Sequence, residues 1–215
     1  METVIPAPLS LQAYLSDPCG TSSIPYWKQK TLSPPPNMRI VHERDYSADA
    51  FPDYTDEPYF RLYHDLKSIA QPNINEAVTI SVSSDTDAFM RLINASYIDL
   101  RVTREQLDGY RKTLVYRPDL WILLKDKATG AVLAGGIADY DSEVGELILE
   151  WIQVLPEHRG RGYGQIIVNT LLSKMQSTAK FATVSGKADN PTNPERLYRK
   201  CGFAGDDVWH VLTKG

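Results

Sequence analysis

Leu147-Ile148-Leu149-Glu150-Trp151-Ile152-Gln153-Val154, followed without a break by Leu155-Pro156-Glu157-His158-Arg159-Gly160-Arg161-Gly162-Tyr163-Gly164-Gln165, is the stretch on which the fold turns. Its first half is a short apolar run of strand length, interrupted only by Glu150 and Gln153. After the glycines, Ile167, Val168, Leu171, Leu172 and Met175 fall on one face of a helix that runs to about Thr178. The junction is therefore strand, glycine loop, helix. Alternating glycines let a ligand approach the backbone, and the first N–H groups of a helix lack intrahelical acceptors and lie at its positive dipole end. Such a junction suits a phosphate or pyrophosphate, with Arg159 and Arg161 adding charge for its oxygens. Two familiar anion loops do not fit. A Walker A loop needs Lys-Ser or Lys-Thr after the glycines, and a dinucleotide fingerprint counted from Gly160 meets Gln165 where its third glycine belongs.

Outward from the junction, strand hairpins mixed with single helices are read from residue 77 on. Val78–Val82 reads as a strand, Asp85 starts a helix to about Tyr97, and Thr103 with Gln106 offers a capping box for another. Strands are expected at 120–125, 131–140, 145–154, 181–187 and 208–212. Pro194 to Cys201 reads as a short helix stopped by Gly202. Before residue 77 the composition changes: residues 1–76 hold ten of the 14 prolines and one of the 13 glycines. That segment has six basic against ten acidic side chains, so the chain's net charge of −4 lies entirely within it. The expected division is an extension at 1–76 and a compact α+β sheet domain at 77–215. Recurrent aromatics, from Tyr14 to Tyr63, make the extension a folded part that packs on the sheet. Short helical and strand runs at 9–15, 38–45 and 59–66 belong to it.

Composition excludes several classes. No basic field exists to gather nucleic acid, and no run of apolar residues is long enough to span a membrane. The start, METVIPAPLSLQAYL, has an early acid and two prolines where a secretion leader would have basic and then apolar residues. Cys19 and Cys201 form no metal or disulfide pattern, and His42, His64, His158 and His210 are dispersed, so no metal site and a reducing, cytoplasmic setting are expected.

The pattern V-x-P-x-x-R-G-x-G-x-G, which contains Arg159-x-x-Gly162-x-Gly164, resembles the acetyl-CoA pyrophosphate loop of the GNAT superfamily of N-acetyltransferases. Asn193-Pro194-Glu195-Arg196-Leu197-Tyr198-Arg199-Lys200-Cys201-Gly202-Phe203 resembles that family's second signature, and the element order over 78–212 is similar too. The extension is similar to those of uncharacterised bacterial members. The resemblance implies a mixed, mostly antiparallel sheet flanked by helices, with acetyl-CoA as cosubstrate. It also implies that the backbone of Ile152, Gln153 and Val154 bonds the pantetheine arm, and that the loop from Arg159 through Gly160, Arg161, Gly162, Tyr163, Gly164 and Gln165 receives the pyrophosphate. Tyr198 is then the acid that protonates the departing thiolate. The family's asparagine stands seven residues before the tyrosine; here Asn190 is eight before it and Asn193 five, and both remain candidates.

Glu150, an acid inside an apolar strand, must be paired, protonated or facing a wet cleft, and in a cleft it would serve as the base for the amine. Glu146 is the reserve. Cys201 reads as packing, Trp151 as core, and Pro25-Tyr26-Trp27-Lys28 as a patch that packs on the sheet or lines an acceptor pocket. The expected activity is direct acetyl transfer to a primary amine of a small molecule or peptide. The alternative is a non-catalytic acyl-CoA-binding module, and the acidic arm is a candidate dimerising or partner-binding element.

Overall fold

A computed structural model describes residues 9–97 and 100–215. The first eight residues, which hold half of the segment read for a leader, lie outside the described part. Six helices are described: α1 (Leu11–Ser16), α2 (Tyr26–Gln29), α3 (Thr86–Ser96), α4 (Arg104–Tyr110), α5 (Tyr163–Met175) and α6 (Pro194–Lys200). The strands are β1 (Met38–His42), β2 (Tyr54–His64), β3 (Val78–Val82), β4 (Tyr116–Asp126), β5 (Val132–Asp141), β6 (Glu146–Val154), β7 (Phe181–Lys187) and β8 (Ala204–Lys214). They form one sheet in the order β1-β8-β2-β7-β6-β5-β4-β3. Every neighbouring pair is antiparallel except β6 and β7.

Local chemistry starts and stops the helices where the sequence implies. The Asp85 carboxylate accepts from the Ala88 amide at 2.9 Å to open α3, and the Thr103–Gln106 capping box opens α4. At the end of α6 the Phe203 amide reaches the Tyr198 carbonyl and the Gly202 amide reaches Arg199, with Gly202 at φ 95°. These two bonds make the Schellman stop that a left-handed glycine permits.

Alternation along the strands separates two apolar layers. On one face Ile167, Leu171 and Leu172 of α5 pack in one cluster with Leu147 and Leu149 of β6, Ala138 of β5, and Leu120, Ile122 and Leu124 of β4. On the other, Phe89, Leu92 and Ile93 of α3 and Leu107 of α4 pack on Trp121, Leu123 and Ile137. Tyr14 of α1 sits with Tyr26, Val144 and Phe181 in a third cluster.

The N-terminal segment goes further than packing on the sheet. Its β2 lies between β7 and β8, paired with both, and β1 edges β8. The run at 59–66, which could be strand or helix from its sequence, is a strand, and it and the expected strand at 208–212 are longer than expected because each gains a partner supplied by a distant part of the chain.

Candidate active site

Strands β6 and β7 are paired from Glu146–Phe181 to Leu149–Val184 and then part. Beyond that point β6 continues to Val154 on β5 alone, while β7 continues to Lys187 on β2. The sheet therefore opens into a fork, one arm of which carries Glu150 through Val154. Glu150 is also the residue skipped in the β5–β6 ladder, where Ile137 faces Trp151 and Ala138 faces Leu149. A bulge of this kind frees its extra residue from the ladder and re-aims the side chain.

The glycine loop lies just past the end of this arm. Gly160 and Gly162 have φ of 78° and 82°, the left-handed region, and a Cβ on either would meet nothing within 4 Å. Gly162 is the N-cap of α5 and supplies no side chain to its first amides. Gly164 has another function: a Cβ there would stand 2.9 Å from Leu197 Cδ2, so its bareness lets α6 close on α5. The loop thus fits a diphosphate on backbone amides and a helix dipole. Arg159 bonds the Ser96 carbonyl at 2.9 Å and the Val154 carbonyl at 3.3 Å, tying the loop to the end of α3. Arg161 is exposed and Tyr163 half-buried, with Gln165 beyond them on the helix's first turn.

Ile152 and Val154 turn their side chains toward the α5 layer, and Gln153 Nε2 donates to Tyr97 Oη at 3.1 Å. Tyr198 is buried between Phe60 and Phe203, its ring centroid 6.1 and 5.9 Å from theirs. Burial, reinforced by Tyr97 and Cys201, raises its pKa and holds the proton on the phenol. Cys201 is buried as well, its thiol pushed up to about 12. The two asparagines are engaged locally. Asn190 Oδ1 accepts from the Thr192 amide and hydroxyl, and Asn193 Oδ1 caps α6 through the Arg196 amide.

The two candidate acids on β6 have different surroundings. Glu146 is fully buried and accepts from Tyr14 Oη at 2.7 Å and Thr183 Oγ1 at 2.5 Å, with Arg61 Nη2 at 3.3 Å. Burial raises its pKa against the pull of Arg61. Glu150 instead meets Lys28 Nζ at 2.5 Å and keeps a partly open side chain.

One residue of the cluster, Asp139, had no part in the expectations, and Lys28 figured only in a patch that packs on the sheet or lines an acceptor pocket. Asp139 of β5 is 1 % exposed, and neither carboxylate oxygen has a hydrogen-bond partner. Ala138 and Tyr140 face α5, so Asp139 faces the α3/α4 side with Glu150. Burial first, then the charge of Glu150, push Asp139 up to about 8, while Lys28 draws it down. Its signal was the one used for Glu150, an acid inside an apolar strand. Lys28, as the cation of the cluster, had no local signal, for its partner is 122 positions away. The centroid of the Trp27 ring lies 5.5 Å from Lys28 Nζ, and the indole N–H groups of Trp27 and of Trp151, next to Glu150, are buried without partners. Trp151 is only partly buried, at the margin of the α3/α4 layer.

Among the described residues no group of three His, Cys, Asp or Glu is placed to hold a metal ion, and no helix is long and apolar enough to cross a membrane.

Known proteins carry the same architecture. A GCN5-related N-acetyltransferase from Sphaerobacter thermophilus superposes with a TM-score of 0.66 at 15% identity, over 87% of this chain and 63% of its own. This chain thus spans less than two thirds of that neighbour's length. A functionally unknown conserved protein from Staphylococcus epidermidis matches 96% of this chain and 81% of its own, with a TM-score of 0.62 at 11% identity. The ribosomal-protein-S18-alanine N-acetyltransferase from Escherichia coli matches 63% of this chain and 91% of its own, at 0.50 and 17%. At these identities the likeness is one of fold. No curated protein matches by sequence. Residues 117–204 match the family model described as the acetyltransferase (GNAT) domain, a span from β4 to the start of β8 that includes the fork, the loop and α6. Residues 117–204 are thus similar in sequence to a GNAT acetyltransferase domain, and the whole chain is similar in fold to proteins of that kind.

Proposed function

We propose that this protein is an N-acetyltransferase that moves an acetyl group from acetyl-CoA to a primary amine of a small molecule or peptide, by direct attack within a ternary complex. The observation that carries the reading is the fork between β6 and β7, opening immediately before a glycine loop and an uncapped helix start. The free edge of β6 at Ile152–Val154 is suited to bond an extended amide arm as an added strand. The amides from Gly160 to Gln165, with Arg159 and Arg161, would hold the diphosphate. When bound, acetyl-CoA supplies the activated acyl group as a thioester.

The remaining steps belong to this chain's side chains. Glu150, at the apex of the fork, takes the proton that the amine must lose. A backbone N–H near Val154 polarises the acyl oxygen. Tyr198 keeps its proton through burial and delivers it to the leaving sulfur. No Cys or Ser with a neighbouring base stands in the fork among the described residues, which favours transfer without an acyl-enzyme. Residues 1–76 wall the acceptor side through Lys28 and complete the sheet through β2, while the fork, the loop and Tyr198 lie in the part from 77 on. A cytoplasmic location and a homodimer built through the arm belong to the same reading.

Acetyl-CoA at about 100 times its Kd should stabilise the protein by about 2.7 kcal/mol. A melting curve that does not move overturns the reading. The second reading, an acyl-CoA-binding module without turnover, is favoured by one observation, the ion pair that engages the proposed base. An amine panel scored by thiol release separates the two.

A further inference from the structure

We propose that Lys28 is itself an acetyl acceptor, its ε-amine standing where an external amine would stand, so that the protein modifies itself at this position. The inference rests on the transferase reading above.

Three features of the cleft point to Lys28. Its Nζ lies 2.5 Å from Glu150 Oε1, and the two side chains are 18% and 13% exposed. Glu150 is the first residue past the last β6–β7 pair, so the amine is held at the apex of the fork. The Lys28 ammonium also lies 5.5 Å from the centroid of the Trp27 ring, an aromatic face that suits a cation. Lys28 is moreover fixed by the fold. Tyr26 packs on Tyr14 with ring centroids 5.3 Å apart, and Gln29 Nε2 donates to Ser22 Oγ at 2.5 Å. An amine tethered in this way reacts at an effective concentration that a free amine rarely reaches. Lys30, two residues on, shows the contrast: it pairs with Glu143 in the open, the two 46% and 52% exposed.

The step balances. Glu150 takes one proton from the Lys28 ammonium, and the freed lone pair forms an N–C bond to the acetyl carbon as the C–S bond breaks. The sulfur receives a proton from Tyr198; of the two protons lost by the nitrogen, one restores the Tyr198 phenol and the other leaves to solvent, so that Glu150 is again a carboxylate. Ammonium and thioester become N-acetyl-lysine, thiol and one proton, with no redox change. The product has no charge to set against Glu150.

The full-length protein, incubated with acetyl-CoA and no added amine, is followed by intact mass and peptide mapping. Lys28 should gain one acetyl group at a rate independent of protein concentration, ahead of Lys30, Lys67 and Lys127. Glu150→Gln should slow that rate about 100-fold and leave the other lysines unchanged. Modification of Lys28 no faster than Lys30, or none while small amines are turned over, overturns the proposal alone. Absence of an acetyl-CoA melting shift overturns the transferase reading and the proposal with it. A cofactor-free measurement tests the occupancy directly. Lys28→Met, or Lys28→Gln if the first is unstable, should bind propylamine about tenfold more tightly than the parent if Lys28 fills the place nine-tenths of the time. Equal affinity overturns the claim that Lys28 stands in the acceptor's place.

Discussion

Two acids stand four residues apart on β6, Glu146 at its start and Glu150 at its middle, and their surroundings differ. At the Glu146 end the strand has a neighbour on each side, and the carboxylate is enclosed by Arg61, Tyr14 and Thr183. At the Glu150 end β7 has departed, the ladder to β5 is bulged, and a lysine from α2 approaches through what is left open. Residue type and apolar context are the same at both. The difference comes from sheet pairing: a closed strand encloses its acid in a buried network, and a forked one leaves its acid partly open.

The largest expected effect falls at the closed end. Arg61→Met leaves Glu146 buried without its cation and should cost about 3–5 kcal/mol in denaturant unfolding. A loss below about 1 kcal/mol would mean that the closed end is no more committed than the open one. At the open end, Glu150→Gln should lower kcat about 100-fold, equivalent to about 2.7 kcal/mol, while the unfolding midpoint moves far less than in the arginine variant. The reverse pattern would exchange the two roles. Gly164→Val, which sets a branched side chain against Leu197 where even a Cβ comes to 2.9 Å, should cost about 1–3 kcal/mol and weaken acetyl-CoA binding as α6 shifts.

The smallest effect per unit of pH is a titration. The folded protein keeps the Asp139 proton up to about pH 8, whereas an unfolded aspartate releases it near 3.8. Between those limits the native state binds more protons, so stability falls as pH rises, by at most about 1.4 kcal/mol per unit, and this contribution is flat above about pH 8. Asp139→Asn should flatten that slope relative to the parent. Glu150→Gln should move the break to lower pH, since the charge of Glu150 helps to hold the Asp139 proton. Parallel slopes in parent and Asp139→Asn would mean that the open end does not reach Asp139.

Much of this was legible in the sequence where local rules govern. Asp85, the Thr103–Gln106 pair, Gly202 and the face of α5 announce their elements because caps and apolar periods act within a few residues. The glycine loop was legible for the same reason. Strand β2 was less so. It carries Arg61, and Pro58 interrupts it, features that argue against a strand inside a sheet. The structure accommodates both: Pro58 falls before the pairing with β7 begins at Tyr59, and Arg61 is neutralised by Glu146, 85 positions away. Lys28 was hidden likewise, by a partner that only the folded sheet brings near. Asp139 was missed for a different reason, since the rule that singled out Glu150 in an apolar strand applies to it equally.

The place of β2 sets an order on the birth of the protein. On the ribosome this strand emerges early, yet both its neighbours, β7 and β8, are among the last segments made, ending at Lys187 and Lys214. Its pairings span most of the chain, a topology that closes slowly because distant segments must meet before either gains a partner. Until then Arg61 and the aromatic side of β2 wait without a sheet, and removing residues 1–76 would take a middle strand from the finished one. A nascent chain stalled before residue 204 should therefore be protease-sensitive at 54–64, and become resistant only on release.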